Sequence, residues 1–433
     1  MHGLRQCLGI TLVLSLLFGS MAGSAGAKGV STDRYLVGVT GPNGESAIAG
    51  RGGALEKKLE RLNLAVAQLT PEQAAALAKD DRIAFMEKDQ RVSLAPTTWS
   101  SQLSWSDQLS WSDQLSWSDQ LSWTDQLSWT DQLSWTDQLS WTDQLSWVDQ
   151  LSWTDGHQIA VDWGVRAVGA ANGGDPGDRG QGVKVAILDT GIDVTHPDLN
   201  VAGGVNLISD GEYTDDNGHG TAMAGILAAN GEHGLYGVAP AASLYAVKVL
   251  GANGEGDVSD LVRGIDWAIE NGMDLINLSV GARGKSQALD QALDRAAAAG
   301  ITVVTAAGNN GKAHGRGNTL DSPARLGDSL VVGAVGPNLQ RATFSATGKE
   351  LDVVAPGVGI ISTYKGGYAV GTGTSQAAAF ATGVAALIIA EHPGAGPARV
   401  EALLKARAVP LVTDLPDPRY GYGFVHVPAP GQK

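Results

Sequence analysis

The spacing of apolar positions changes several times along this chain of 433 residues. A short apolar core at residues 8–18, interrupted only by Thr11 and Ser15 among its polar positions, gives way, after residue 28, to short strand-like segments at 35–39, 64–67 and 83–87. Between them, residues 54–62 have a charged, helix-like character and predict a helix. A second helix is predicted from Thr70 through Ala78. There Thr70 offers an N-cap, Pro71 suits the first helical position and Gln73 completes a capping box. Residues 28–95 thus predict a small α+β unit.

From about residue 157 the rhythm is different. Short apolar runs at 184–188, 243–249, 273–278 and 301–305 alternate with helical patterns at 219–229, 258–270 and 286–299. Continuous apolar strands are those buried on both faces. The pattern therefore predicts an α/β domain over 157–433, a doubly wound, mostly parallel sheet with helices on both faces. In such a domain chemistry gathers at the carboxyl ends of the strands.

Between these regions, from Leu103 to Asp155, the unit L-S-W-[STV]-D-Q recurs nine times, the last ending in Gly156. Six residues advance a helix by about 600°, so Leu and Trp form no stripe. As a strand, Leu, Trp and Asp would share one face, which mixes a carboxylate into apolar surface. Residues 96–156 are read as a Trp-rich, mostly disordered linker. Two other readings stand beside it: a stacked β-coil, which a Trp in every unit fits poorly, and a module whose indole rings contact carbohydrate or cell surfaces.

Charge and the N-terminus change the picture further. The net charge of −15, nine of it from the repeat aspartates, argues against nucleic acid and acidic membrane surfaces as partners. Arg5, the apolar run and Ala25-Gly26-Ala27 before Lys28 read as a secretory signal at residues 1–27. The run is too short to span a bilayer, so the mature chain is expected outside the cell with no membrane span. The single cysteine, Cys7, falls within that signal, which predicts a mature protein without disulfides.

Candidate chemistry follows from where polar residues interrupt the apolar pattern. Asp189 ends a strand, His219 opens a helix, and Ser375 sits at the start of an Ala-rich helix. Each alone has a plainer role as a turn or capping residue. Together they are what nucleophilic acyl transfer requires: Ser attacks, His takes the proton and Asp orients the imidazole. Asn309, after another strand, offers an amide donor for the oxyanion, with the Ser375 backbone N–H as the second.

DTGID at 189–193, HGTAMAG at 219–225, AAGNNG at 306–311 and GTSQAAA at 373–379 resemble, in that order, the subtilisin-like serine peptidases. The resemblance runs from about Trp163 to Gly423 and implies a secreted serine endopeptidase made as a self-processing precursor. It implies Asp189, His219 and Ser375 as the triad and Asn309 as the oxyanion donor. Peptide substrate would add as a strand between Ser279-Val280-Gly281 and Gly254-Glu255-Gly256, with Gly308 also at the substrate site. Residues 28–95 resemble the family's inhibitory propeptide, a ferredoxin-like unit of plan β-α-β-β-α-β, and would act as an intramolecular inhibitor. Three of its four strands are identified above. The first cut is expected between residues 94 and 99; a cut just before Trp163 would instead discard the repeats.

The chain also departs from the family pattern. Gln376 stands where Met is usual, Ala379 and Phe380 replace Pro and His, and Ala222-Met223 replaces His-Val. Gln376 removes an oxidisable thioether and predicts peroxide tolerance. These changes keep an inactive peptide-binding scaffold as a rival reading, and the Trp repeat keeps an adhesion or carbohydrate-binding protein as another. Asp198 matches a family calcium ligand, although the loop at 229–235 that would complete this structural site is one residue short. Asp321 falls near the floor of the first specificity pocket, where a carboxylate would favour Arg or Lys in the substrate. The plainer reading is a solvated loop aspartate.

Overall fold

The computed structural model describes residues 31–41, 43–94, 97–103, 153–154, 157–158, 161–170, 179–282, 284–326 and 328–428. The signal at 1–27 and most of the repeat, 104–152, lie outside the described residues.

The N-terminal unit runs β1 (Asp33–Val39), α1 (Gly44–Gly50), β2 (Ala54–Leu59), β3 (Leu64–Leu69), α2 (Pro71–Leu77) and β4 (Ile83–Lys88). Its antiparallel sheet has the order β2-β3-β1-β4. Helix α2 starts as its capping box predicts: Gln73 N donates to Thr70 Oγ1 at 3.2 Å, and Thr70 N donates to Gln73 Oε1 at 2.8 Å. The helix expected at 54–62 is instead strand β2 followed by one 3-10 turn, Glu60–Leu62. Residues 54–58 are exposed on a strand that, among the described residues, pairs with β3 alone. An edge strand tolerates Lys and Glu, so charge there masked the fourth strand of the unit.

The chain then forms β5 (Arg91–Leu94), β6 (Thr98–Leu103) and a short hairpin, β7 (Trp153–Thr154) with β8 (His157–Gln158). Beyond α3 (Trp163–Ala167) come β9 (Lys184–Asp189), β10 (Val201–Asn206), α4 (His219–Ala228), β11 (Ser243–Lys248), β12 (Glu255–Asp257) and α5 (Val258–Glu270). Next are β13 (Leu275–Leu278), β14 (Val280–Ala282), α6 (Gln287–Ala298), β15 (Thr302–Ala306), β16 (Leu330–Val335) and β17 (Val353–Pro356). The domain closes with the hairpin β18 (Ile360–Tyr364) and β19 (Gly367–Thr372), then α7 (Thr374–Glu391) and α8 (Pro397–Arg407).

Seven strands form one parallel sheet in the order β10-β11-β9-β13-β15-β16-β17. Because side chains alternate along a strand, β9 feeds two cores. Val185 and Ile187 join the core around α4 and α7, whereas Ala186 and Leu188 join the one beneath α5 and α6. That second core continues into the N-terminal unit through Leu36, Leu62, Leu64 and Val66, so unit and domain share apolar burial. Among the described residues α7 is the one helix long and apolar enough to cross a membrane, but 89% of it is buried. It is the central helix of the core, packed against β13, β15, β16 and β17.

Candidate active site

The parallel sheet delivers Asp189 to the carboxyl end of β9, fully buried. His219 is the first residue of α4, entered through Gly218 at φ 116°, a left-handed conformation that favours glycine. Its Nδ1 lies 2.9 Å from both Asp189 carboxylate oxygens. The contact needs a close approach of α4 to the turn after β9: a Cβ on Gly220 would meet Gly191 O at 2.1 Å.

A residue the sequence reading missed holds this turn. Asp215, 2% exposed, accepts hydrogen bonds at Oδ1 from Thr190 Oγ1, Asn217 N and Gly218 N at 2.8–2.9 Å. Its Oδ2 accepts from Thr221 N at 2.9 Å and Thr221 Oγ1 at 2.6 Å. Thr190 Oγ1 in turn accepts from Gly220 N at 3.0 Å, which ties the turn after Asp189 to the turn before His219. The only sequence signal was an Asp four residues before the histidine.

Ser375 is the second residue of α7, whose N-cap is Gly373. Its Oγ donates to Ser279 O at 3.4 Å, and Ser279 Oγ donates back to Ser375 O at 3.4 Å. As one of the first four residues of the helix, Ser375 has a backbone N–H with no intrahelical acceptor. Asn309 reaches the same helix start. Its Oδ1 accepts from Thr374 N at 2.9 Å and Thr374 Oγ1 at 2.8 Å, while Thr374 Oγ1 accepts from Gly308 N at 3.2 Å. With Oδ1 engaged, Nδ2 is turned toward Gly373, 3.1 Å from where a Cβ on that residue would lie. Thr374 is a second residue that sequence reasoning missed.

Gly254-Glu255-Gly256 and Ser279-Val280-Gly281 flank a third strand, and that strand is the chain's own β5. Val92 registers with Gly256 and Ala282, and Ser93 with Glu255 and Gly281. Leu94 pairs with Val280, and its N donates to Gly254 O at 2.9 Å. On the other side of Ser375, β6 pairs antiparallel with β19, Thr98 opposite Thr372 and Leu103 opposite Tyr368. Residues 98–103, expected in the linker, therefore form a strand, because the edge of the β18–β19 hairpin supplies the partners that their own pattern lacks.

Two carboxylates of the N-terminal segment reach helix starts of the larger domain. Glu87 accepts from Ser286 Oγ, Gln287 N and Ala288 N at the start of α6, at 2.6–3.2 Å. Asp89 accepts from Ser259 N at 3.0 Å at the start of α5. Anions are favoured there by exposed N–H groups and the helix dipole. Nearby Asp260, 6% exposed, accepts from Arg263 Nη1 at 3.2 Å. Burial pushes its carboxyl up from 3.8 to about 6, against the pull of Arg34 and Arg263. The folded precursor thus holds a proton that the unfolded chain has released. Asp260 costs stability as pH rises from 3.8 through about 6, by about 3 kcal/mol at most. Urea unfolding of Asp260→Asn beside wild type, both carrying Ser375→Ala against self-digestion, is expected to show the variant gaining relative stability between pH 4 and 7. A constant difference across that range would contradict it.

Asp198 is held in a way that does not suit calcium. Its Oδ1 accepts from His233 N at 2.7 Å, and its Oδ2 from Leu235 N at 3.2 Å and Tyr368 Oη at 2.5 Å. Burial and the adjacent Asp198 raise the Tyr368 hydroxyl well above the usual phenol range, so it remains a donor. Calcium needs oxygen acceptors facing inward, whereas this loop turns N–H and O–H groups toward the carboxylate. Chelator is expected to leave the thermal midpoint unchanged; a fall reversed by added calcium would show that the ion binds here after all.

Asp321 is half-buried between two backbone walls. A Cβ on Gly308 would meet its Oδ2 at 2.9 Å, and one on Gly281 would lie 4.0 Å from its Cβ. Asn310 Nδ2 donates to the same carboxylate.

The Subtilase family of peptidases matches residues 180–423. Subtilisin E of Bacillus subtilis (strain 168) is 34% identical over 98% of this chain and 97% of its own length. Subtilisin DY of Bacillus licheniformis is 45% identical over 63% of this chain and 99% of its own. Subtilisin Savinase of Lederbergia lenta is 45% identical over 62% of this chain and 98% of its own.

Proposed function

The chain belongs to the subtilase family of serine endopeptidases, and on that premise we propose that it is a secreted, self-processing precursor whose triad is Asp189, His219 and Ser375. Its substrates are proteins and peptides. Ser375 Oγ attacks the scissile carbonyl, His219 takes the proton and later passes it to the leaving amine, and Asp189 holds the imidazole and steadies its cation. The oxyanion is met by Asn309 Nδ2 and the Ser375 N–H. Thr374 fixes the amide of Asn309, so its donor is oriented before substrate arrives.

The observation that carries this reading is the path of the chain itself. Residues 91–94 lie as a strand between 254–256 and 280–282, and residues 98–103 continue as a strand beyond Ser375. That is the course of a peptide substrate, and it supports an N-terminal unit that blocks the cleft until it is cut free. N-terminal sequencing of secreted protein is expected to find a new terminus between Leu94 and Trp99, leaving the Trp repeats on the enzyme. A chain that keeps residues 33–88 covalently attached would overturn self-processing.

The carboxylate of Asp321, beside Gly281 and Gly308, supports a preference for Lys or Arg before the scissile bond. Asp321→Ala is expected to lower kcat/KM for Lys peptides about fivefold relative to Leu peptides. An unchanged Lys-to-Leu ratio would assign Asp321 to the loop alone.

A further inference from the structure

Strand β6 is itself a copy of the hexapeptide repeat. Its sequence is T-W-S-S-Q-L, and Ser104 to Leu151 hold eight successive copies of S-W-[STV]-D-Q-L. Trp, Gln and Leu are common to all of them, and the one change of character is Ser101, where every later copy has Asp. The pairing with β19 shows why that position is free to vary. Ala369 lies opposite Gln102 and Val370 opposite Ser100, so Ser101 is the extra residue of a β-bulge, outside the ladder. Asp suits strands poorly, and a bulge is the place where it costs no pairing. The lengths agree as well, since β19 is six residues long, one unit. Among the described residues β19 has β18 on one side and β6 on the other. Without β6 it would present an open edge of unpaired backbone groups that ends three residues before Ser375.

We propose that the edge of β19 is a docking strand for one unit of the chain's own repeat, and that the copies behind β6 can take its place there. The cut expected between residues 94 and 99 leaves β6 at a free chain end, where strands fray most readily. Copies on the same chain compete for the edge at an effective concentration on the order of 1 mM, so one unit or another stays docked. A docked unit lies on the course of a substrate beyond the scissile bond. Peptides long on that side must displace it, whereas substrates that end at the scissile bond need not. This kinetic consequence rests on Ser375 being the nucleophile and on the repeats staying with the enzyme; the docking itself does not.

The test is hydrogen exchange of the backbone N–H groups of residues 368–372, in the full chain carrying Ser375→Ala so that self-cleavage does not intervene. Strand β13 in each preparation is the reference for a folded domain. Thr98→Ser, Ser100→Thr and Ser101→Asp together turn β6 into a repeat unit and are expected to leave exchange in β19 unchanged. Replacing 98–103 by Gly and Ser is expected to leave it within about twofold of the parent, because a later copy moves in. Replacing 98–151 in the same way is expected to speed it at least about tenfold, and a free peptide of two units, S-W-T-D-Q-L twice, to slow it again. Fast exchange in either of the first two variants, or slow exchange in the third, would overturn the proposal. The first two decide even if the third does not fold. Protection of the 98–103 variant that falls on dilution would put a second copy's repeat on the edge and overturn docking within one chain. In the processed, active enzyme, replacing 98–151 is expected to raise kcat/KM about fivefold for a peptide with six residues beyond the scissile bond, relative to a p-nitroanilide. An unchanged ratio would overturn the placing of the docked unit in the substrate's path. Wild type inactive even on the anilide would instead sink the reading of Ser375 and leave the exchange result standing.

Discussion

Ser375→Ala is expected to lower peptide hydrolysis by about six orders of magnitude, the scale observed when subtilisin, a relative, loses its reactive serine. The same change should leave the precursor uncut. On the proposed reading the reason is the same in both cases, since β5 and β6, paired with β12, β14 and β19, would stand in for a substrate. Intact mass of wild type beside the variant measures the second effect without any added substrate. Wild type should lose the residues before the cut, and the variant should keep them. Equal processing of the two would mean that another protease matures the protein. Full-length protein in both, with no turnover, would favour the peptide-binding scaffold.

Asp215→Ala should be the most damaging substitution among residues that do not react. Removing the carboxylate strands three backbone N–H groups and two hydroxyls in a buried turn. Leaving buried donors unpaired costs about 1–3 kcal/mol each, although water can reach some after the change. A loss of at least ~3 kcal/mol in urea unfolding is expected, measured in the Ser375→Ala background so that self-digestion does not intervene. With the reactive serine restored, kcat should fall much more than KM rises, because Thr190 and Gly220 would no longer hold Asp189 against His219. A cost below ~1 kcal/mol would show that the turn is held by its backbone alone.

Much of the larger domain was legible because its signals are local. Residues 258–270 form a helix with the predicted bounds, and the helix predicted at 286–299 forms over 287–298 with Ser286 as its N-cap. The capping box at Thr70 worked for the same reason, since both of its bonds close within three residues. The misread segment, 54–62, failed because its strand conformation depends on β3, which follows it. Strands β10, β16 and β17 went unread, although each is placed by parallel neighbours in the same sheet.

The sequence by itself determined which groups could react, the order in which they occur, and the alternation of strand and helix that brings such groups to one edge of a sheet. Those properties are set by side-chain chemistry and by periods of two and 3.6 residues, both visible in a short window. The tertiary structure alone decided who meets whom across long separations. It set Asp189 against His219, thirty residues apart, and Thr374 on the amide of Asn309, sixty-five apart. It also turned the 229–235 loop so that the N–H groups of His233 and Leu235 face Asp198, and left the Gln376 amide buried with no partner among the described residues. Loop direction and register depend on the closing of the whole fold, and no local pattern of residues encodes them.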